Sequence, residues 1–273
     1  MSISRRVKDV LRATVGRNVL ATWWWRVRYF SAQRVSARFE DAEVARLART
    51  LPNPPEAMVT VLVATYKRPE GLRKAVHSAL NQTVRDIAVV VVDDGGGQTD
   101  GLPDDPRLTV LTLSANHISC GLSRNVAMRL SRSPYVAVLD DDNTWRPEHL
   151  EHALAGLADG SAGLVYTRVR RVRPDGSEVD VLGKPFDRRA HADDSWVDAN
   201  SLVFRRRPGL RFNPWARPRS VHPKEDWEFV HHVSAKHTVR YLPVTTVEYS
   251  VHSGSYFSDW DADALGACTE RVT

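Results

Sequence analysis

The sequence predicts an α/β fold, a mostly parallel sheet with helices on both faces, plus an N-terminal helical extension. Two observations carry this. From residue 58 onward, short β-branched apolar runs alternate with segments of helical spacing, the pattern of a parallel sheet built from strand–helix–strand units. The run IAVVVVDD (87–94) is apolar at successive positions, as a strand covered on both faces requires.

The elements follow in order. Residues 1–57 are Arg-rich, carry Trp23-Trp24-Trp25 and end in the proline-punctuated LPNPPE. Two helices are expected there, over 4–30 and 38–50. MVTVLVAT (58–65) is a first strand. Pro69 suits the first turn of a helix, and Leu72, Ala75, Val76, Ala79 and Leu80 repeat at helical spacing. Strands follow at 87–94 and 107–113, a short helix at 122–130, a fourth strand at 135–143 and a helix from Pro147 to Leu157. WVDANSLVFRRR (196–207) reads as a further strand, and KEDWEF as the opening of a helix, since acids favour helix N-termini. The expected domains are an arm and linker over 1–57 and a main domain over 58–273. The main domain divides into a nucleotide-side half, 58–143, and an acceptor-side half, 144–273.

Composition narrows the function classes. With 273 residues, 42% hydrophobic and 26% charged, the chain is ordinary globular protein, long enough to bury a sizeable core. No apolar run approaches the roughly 18 residues of a membrane span. The N-terminus has no apolar h-region, and the two cysteines, Cys120 and Cys268, form no metal or disulfide framework. A cytoplasmic location is therefore expected. The net charge of +5 is spread over 38 basic and 33 acidic residues without a nucleic-acid-binding signature, so no nucleic-acid partner is expected. The tryptophan run reads in two ways. It packs onto the main domain or a second copy of the chain, or, with Arg26, Arg28, Tyr29 and Phe30, it forms a patch against the phosphates of a membrane's inner face.

In parallel α/β sheets ligands bind beyond the carboxyl ends of the strands. Those ends carry Thr65-Tyr66-Lys67-Arg68, Asp93-Asp94-Gly95-Gly96-Gly97 and Asp140-Asp141-Asp142-Asn143. Three adjacent carboxylates repel one another unless solvated or bound to a cation. Strand alternation would put Asp140 and Asp142 on one side and Asp141 on the other. A hard divalent cation needs only one or two such carboxylates when substrate phosphates complete its shell. Neither GxGxxG nor a GxxxxGK[ST] loop is present.

Four blocks, VTVLVATYKRPEGLRKAVHSALNQT, VVVVDDGGGQTDG, YVAVLDDDNTWRPEHL and KEDWEF, resemble successive blocks of glycosyltransferase family 2, over about residues 58–257. The resemblance implies a GT-A, Rossmann-like fold and inverting transfer of a sugar from a nucleotide diphosphate donor, assisted by Mg²⁺ or Mn²⁺. It implies that Thr65, Tyr66 and Arg68 hold the nucleotide, that Asp94 with Asp93 meets a uracil-type base or its ribose, and that Arg124, Asn125 and Asp141 lie near the donor. Asp140 and Asp142 match the family's Asp-x-Asp motif. Asn143 stands where many relatives have a further acid. Within Glu225-Asp226 the resemblance makes Asp226 the general base and Glu225 the second choice or an acceptor-binding residue, with Trp227 beside them. In VEYSVHSGSYFS, His252 would touch metal or phosphate and Ser255 the diphosphate, while Ser250 replaces a frequent arginine. Asp198 and Asn200 are candidates for sugar hydroxyls. UDP or dTDP is the expected nucleotide, and the acceptor is open. Two other readings stand beside this one: a non-catalytic nucleotide-sugar-binding protein, and a sugar-phosphate nucleotidyltransferase.

Overall fold

The computed structural model describes residues 14–218 and 220–251. Two helices, α1 (Arg17–Arg28) and α2 (Phe30–Thr50), precede a nine-stranded mixed sheet. The strands are β1 (Val59–Thr65), β2 (Ile87–Asp93), β3 (Leu108–Thr112), β4 (Tyr135–Asp140), β5 (Thr144–Trp145), β6 (Ala162–Val172), β7 (Glu178–Leu182), β8 (Leu202–Arg205) and β9 (Thr238–Ser250). Helices α3 (Pro69–Leu80), α4 (Cys120–Leu130), α5 (His149–Leu157), α6 (Arg188–His191) and α7 (Glu225–Val233) connect them. The strand order is β3-β2-β1-β4-β8-β6-β9-β5, with β7 paired to β6. Strands β1 to β4 are mutually parallel, and β8 runs antiparallel to both β4 and β6. The expected parallel sheet is thus found in the first half and becomes mixed in the second. No helix among the described residues is long and apolar enough to cross a membrane.

The sheet divides the core in two. Val59, Val61 and Val63 of β1, with Val89 and Val91 of β2, face Leu72, Val76, Leu150 and Leu157 of α3 and α5. Leu62, Val90 and Val92 point the other way, toward Leu122 and Val126 of α4 and Phe229 of α7. Each strand is apolar at successive positions because each alternate residue meets a different layer of helices.

The N-terminal helices join the second layer. Leu47 of α2 is buried there, with Phe39 and Val44 packed alongside. Glu40, wholly buried, accepts from Asn125 (2.8 Å), Arg129 (2.9 Å) and Arg211 (3.1 Å). Glu43 takes the Ser114 hydroxyl and amide together with Arg46. Three boundaries differ from the sequence reading by more than two residues, and residues 4–13 of the first expected helix lie outside the described residues. The arm's helices meet at Tyr29 rather than across a gap at 31–37. The fourth strand stops at Asp140 because the Asp140 amide bonds the Asn200 side chain (2.6 Å) instead of a neighbouring strand. The expected strand at 196–207 is extended only over Leu202–Arg205, since Asp198 caps a 3-10 turn at Ala199–Ser201 by accepting the Asn200 amide.

Candidate active site

Thr65, Asp93 and Asp140 close β1, β2 and β4, and the register sets Thr65 beside Asp93 and Ala64 beside Asp140. The three polar strand ends therefore lie on one rim. Past β4 the chain turns, so strand alternation does not order the three aspartates, and their partners do. Asp141 is buried, accepting the Thr65 hydroxyl (2.8 Å) and Arg68 Nη1 (3.2 Å). Burial pushes its carboxyl up to about 6, against the pull of Thr65 and Arg68. Asp142 takes the same Arg68 nitrogen at 2.6 Å and the Asn143 amide at 3.0 Å. Asn143 in turn accepts the Ser250 amide (2.9 Å), tying this turn to the end of β9. Gly71 lets the first turn of α3 sit against the turn, where a Cβ would lie 2.4 Å from the Asp141 carbonyl oxygen.

Asp140 belongs to a second network centred on Arg124. This arginine, 3% exposed, donates to Asp140 (2.5 Å) and to Glu225 (3.1 Å), and so joins the end of β4 to the first turn of α7. Burial alone would lower its pKa, but the flanking carboxylates prevail and the guanidinium is held charged. Asn200 bridges onward, donating to Asp140 (3.1 Å) and Asp198 (2.9 Å). Burial pushes Asp198 up to about 6. Asp226, next to Glu225, is pushed up to about 7 by its dense surroundings and by the charge of Glu225, although it keeps some solvent contact. A carboxylate so placed can accept a proton near neutral pH.

Tyr249 of β9, which the sequence reading missed, faces this cluster. Burial and the charges of Asp198, Asp142 and Asp140 hold its hydroxyl protonated well above the usual phenol range. Its signal in the sequence was its place two residues before Val251, in a segment read for Ser250 and His252. His252 and Ser255 lie outside the described residues.

Asp93 and Asp94 pin loops. Asp93 accepts the Gly96 (2.9 Å) and Gly97 (2.8 Å) amides. Asp94 accepts those of His117 (2.9 Å) and Ile118 (2.8 Å), and burial raises its pKa. Lys67, just past β1, and Ile118, in the loop whose amides Asp94 accepts, are the non-glycine residues with positive φ among those described, both at 55°. A β-branched residue there is strained and needs its surroundings to hold it. Tyr66 stands exposed at the mouth with Lys67 over its ring.

Two residues expected near donor or acceptor, Asn125 and Trp227, are buried in this structure. Asn125 is fully buried, its amide engaged by Glu40 and by the backbone of Phe212 on both sides. Trp227 is 1% exposed, with its indole N–H on the His191 (2.7 Å) and Asp194 (3.1 Å) carbonyls and its ring stacked on His191 and His231. Neither presents a free edge to a ligand.

Asp140 and Asp142, both partly exposed, supply oxygen donors alone, which suits a hard cation that keeps several waters and shares phosphate oxygens. No cluster of three or more His, Cys, Asp or Glu among the described residues forms a closed cage. The residues therefore fit a divalent cation brought with a diphosphate better than a cation bound by protein alone.

Cys120, exposed at the start of α4, lies within electrostatic reach of Arg124, Glu225, Asp140 and Asp141. In a Cys268→Ser background, maleimide modification of Cys120 should lower nucleotide binding, and bound nucleotide with Mn²⁺ should slow the modification. Equal rates with and without nucleotide would place the donor elsewhere.

The model of the family described as Glycosyl transferase family 2 matches residues 60–198, just over half of the chain. Among proteins of known name, the chain is 29% identical over 153 residues to TuaG of Bacillus subtilis, a glycosyltransferase named for teichuronic acid biosynthesis, covering 53% of this chain and 57% of TuaG. It is 32% identical over 132 residues to the succinoglycan biosynthesis protein ExoO of Rhizobium meliloti, covering 46% and 37% of the two chains. The matched region thus spans little more than half the length of TuaG and little more than a third of ExoO. Among solved structures, TarS of S. aureus in complex with UDP-GlcNAc superposes with a TM-score of 0.55 at 19% identity, over 74% of this chain and 60% of that one. The mannosyltransferase PcManGT of Pyrobaculum calidifontis, in complex with GDP-Man and Mn²⁺, gives 0.54 at 18% identity, over 83% and 69%.

Proposed function

This chain belongs to glycosyltransferase family 2, and on that premise we propose that it is an inverting, metal-dependent transferase moving a sugar from a UDP- or dTDP-linked donor to an acceptor hydroxyl, with Asp226 as general base. The observation that carries this reading is the convergence on one buried arginine, Arg124, of Asp140 from the strand-end carboxylates and Glu225 from the first turn of α7. That bridge holds the end of β4 beside the Glu225-Asp226 pair.

A divalent cation bound with the donor supplies charge to offset the departing nucleoside diphosphate. Asp142 and Asp140 are the residues that would hold it. Tyr66, exposed over Lys67, offers a face for the base, and Asp94 can use a remaining lone pair for the N–H of a uracil or thymine ring. The acceptor oxygen forms its bond to the anomeric carbon as the bond from that carbon to the diphosphate oxygen breaks. The acceptor's proton passes to the Asp226 carboxylate, raised into the range where it takes a proton at neutral pH. Glu225, held by Arg124, keeps α7's first turn oriented toward the end of β4.

The test is a panel of nucleotide sugars incubated with saccharide acceptors and Mn²⁺ and followed by NMR. The reading expects release of one nucleoside diphosphate and a product of anomeric configuration opposite to the donor. Retention of configuration would remove Asp226 as the base. Release of pyrophosphate from a sugar phosphate and a nucleoside triphosphate would favour a nucleotidyltransferase.

A further inference from the structure

The tryptophan run divides by direction. Trp25 turns inward, its indole N–H on the His222 carbonyl (3.2 Å) and its ring beside Tyr29, which stacks on Trp215. Packing onto the main domain is therefore the role of Trp25. Its neighbours face solvent: Trp23 is 66% exposed, Trp24 47%, Val27 62% and Phe30 58%. Trp23, Val27, Phe30 and Arg34 fall at positions i, i+4, i+7 and i+11, one stripe of a helix. Helical hydrogen bonds enter and leave the joint between α1 and α2 at Tyr29, from its amide to Trp25 and from Gln33 to its carbonyl.

Charge sharpens the pattern. Residues 17–39 contain five arginines and no acidic residue. Arg17 and Arg26 turn toward the main domain, onto Asp193 and Glu228. Arg28 and Arg34 instead lie over the rings of Trp24 and Phe30, at 5.1 and 5.6 Å from their centroids, and no carboxylate among the described residues pairs with either. Exposed indoles flanked by unpaired guanidinium groups suit the headgroup layer of a bilayer, where the ring takes the apolar boundary and the cation takes phosphate.

We propose that this face of α1 and the start of α2 docks the protein on an anionic membrane surface. A second copy of the chain is a poorer occupant. An isologous contact sets the same patch against itself, and here that would bring arginine rows together with no acid in the stretch to meet them. The docking face is tied to the candidate site through Arg26, whose Nε lies 2.6 Å from Glu228 of α7, one turn beyond Glu225. Its binding is independent of the transferase reading, because it is measured without nucleotide.

The experiment is flotation of the full chain with phosphatidylcholine vesicles, with and without phosphatidylglycerol, at low and high NaCl. Binding should require phosphatidylglycerol and fall with salt. Arg28→Gln/Arg34→Gln should weaken it by roughly 30-fold, and Trp23→Ala/Trp24→Ala/Phe30→Ala should abolish it. These side chains are exposed, so the melting temperatures of both variants should match the wild type. Failure of the wild-type chain to float on phosphatidylglycerol vesicles overturns the proposal without recourse to any variant, as does salt-insensitive binding. A concentration-dependent dimer that the tryptophan variant dissociates would assign the face to a second copy instead.

Discussion

Asp226→Asn is expected to bind donor nucleotide as the wild type does and to lose transfer by about 10²- to 10⁴-fold, the usual contribution of a positioned general base. The substitution removes the proton-accepting oxygen while keeping shape and the acceptor for the Trp227 amide, which Asp226 Oδ1 receives at 2.7 Å. The accompanying pH dependence has a definite sign. A base must be unprotonated to act, so activity falls as pH drops through its pKa. Because burial and the Glu225 charge push Asp226 up to about 7, the acid limb of kcat/KM should lie near neutrality rather than near an ordinary carboxylate's 4. Glu225→Gln should move that limb to lower pH for two reasons that act together. It removes the repelling charge and frees Arg124 to stabilise the ionised Asp226. Unchanged turnover in Asp226→Asn would remove it as the base. A limb that stays put in Glu225→Gln would show that another group titrates.

The second large effect concerns the arm. Glu40→Ala leaves Arg211 without its carboxylate, Arg129 with Asp41 alone, and Asn125 without one acceptor. Both arginines are partly exposed and keep water as a partner, so the main cost is the buried Asn125 amide left with an unsatisfied N–H, about 1–3 kcal/mol, and urea unfolding should show a loss of that size. A loss under about 1 kcal/mol, the range of an exposed pair, would mean that α2 is only loosely attached to the main domain. The arm's burial against α4 supports treating it as part of the folded unit.

What the sequence could disclose follows the range of the forces involved. The alternation of strands and helices is local, and β1 to β4 with α3, α4 and α5 appear close to where periodicity puts them. The strand ends of one parallel sheet share a rim by topology, so Thr65, Arg68, Asp93, Asp140 and Asp141 were found together without knowledge of any side-chain contact. The burial of Asn125 and Trp227 is not legible in the sequence because a family's motif marks position, not direction, and burial is decided by neighbours about 35 to 90 residues away. In α2, Glu40, Glu43 and Leu47 repeat at helical spacing on the face toward the core, yet acids on a helix read as a solvated side. Their partners, Arg129, Arg211 and Ser114, are distant in sequence, so the burial was invisible. The antiparallel β8 and the turn capped by Asp198 were hidden likewise, since WVDANSLVFRRR has strand composition throughout.

The most direct measurement is calorimetric titration of UDP, dTDP and GDP into the wild-type chain and into Asp142→Ala, each with Mn²⁺ and with EDTA. Asp140 and Asp142 do not close a cage by themselves among the described residues, so cation and diphosphate should bind as a unit. The prediction is that one nucleotide binds wild type tightly with Mn²⁺, weakly with EDTA, and weakly to Asp142→Ala under both conditions. Absence of metal-dependent binding by any of the three would contradict the transferase reading and favour a chain that kept the fold without its donor chemistry.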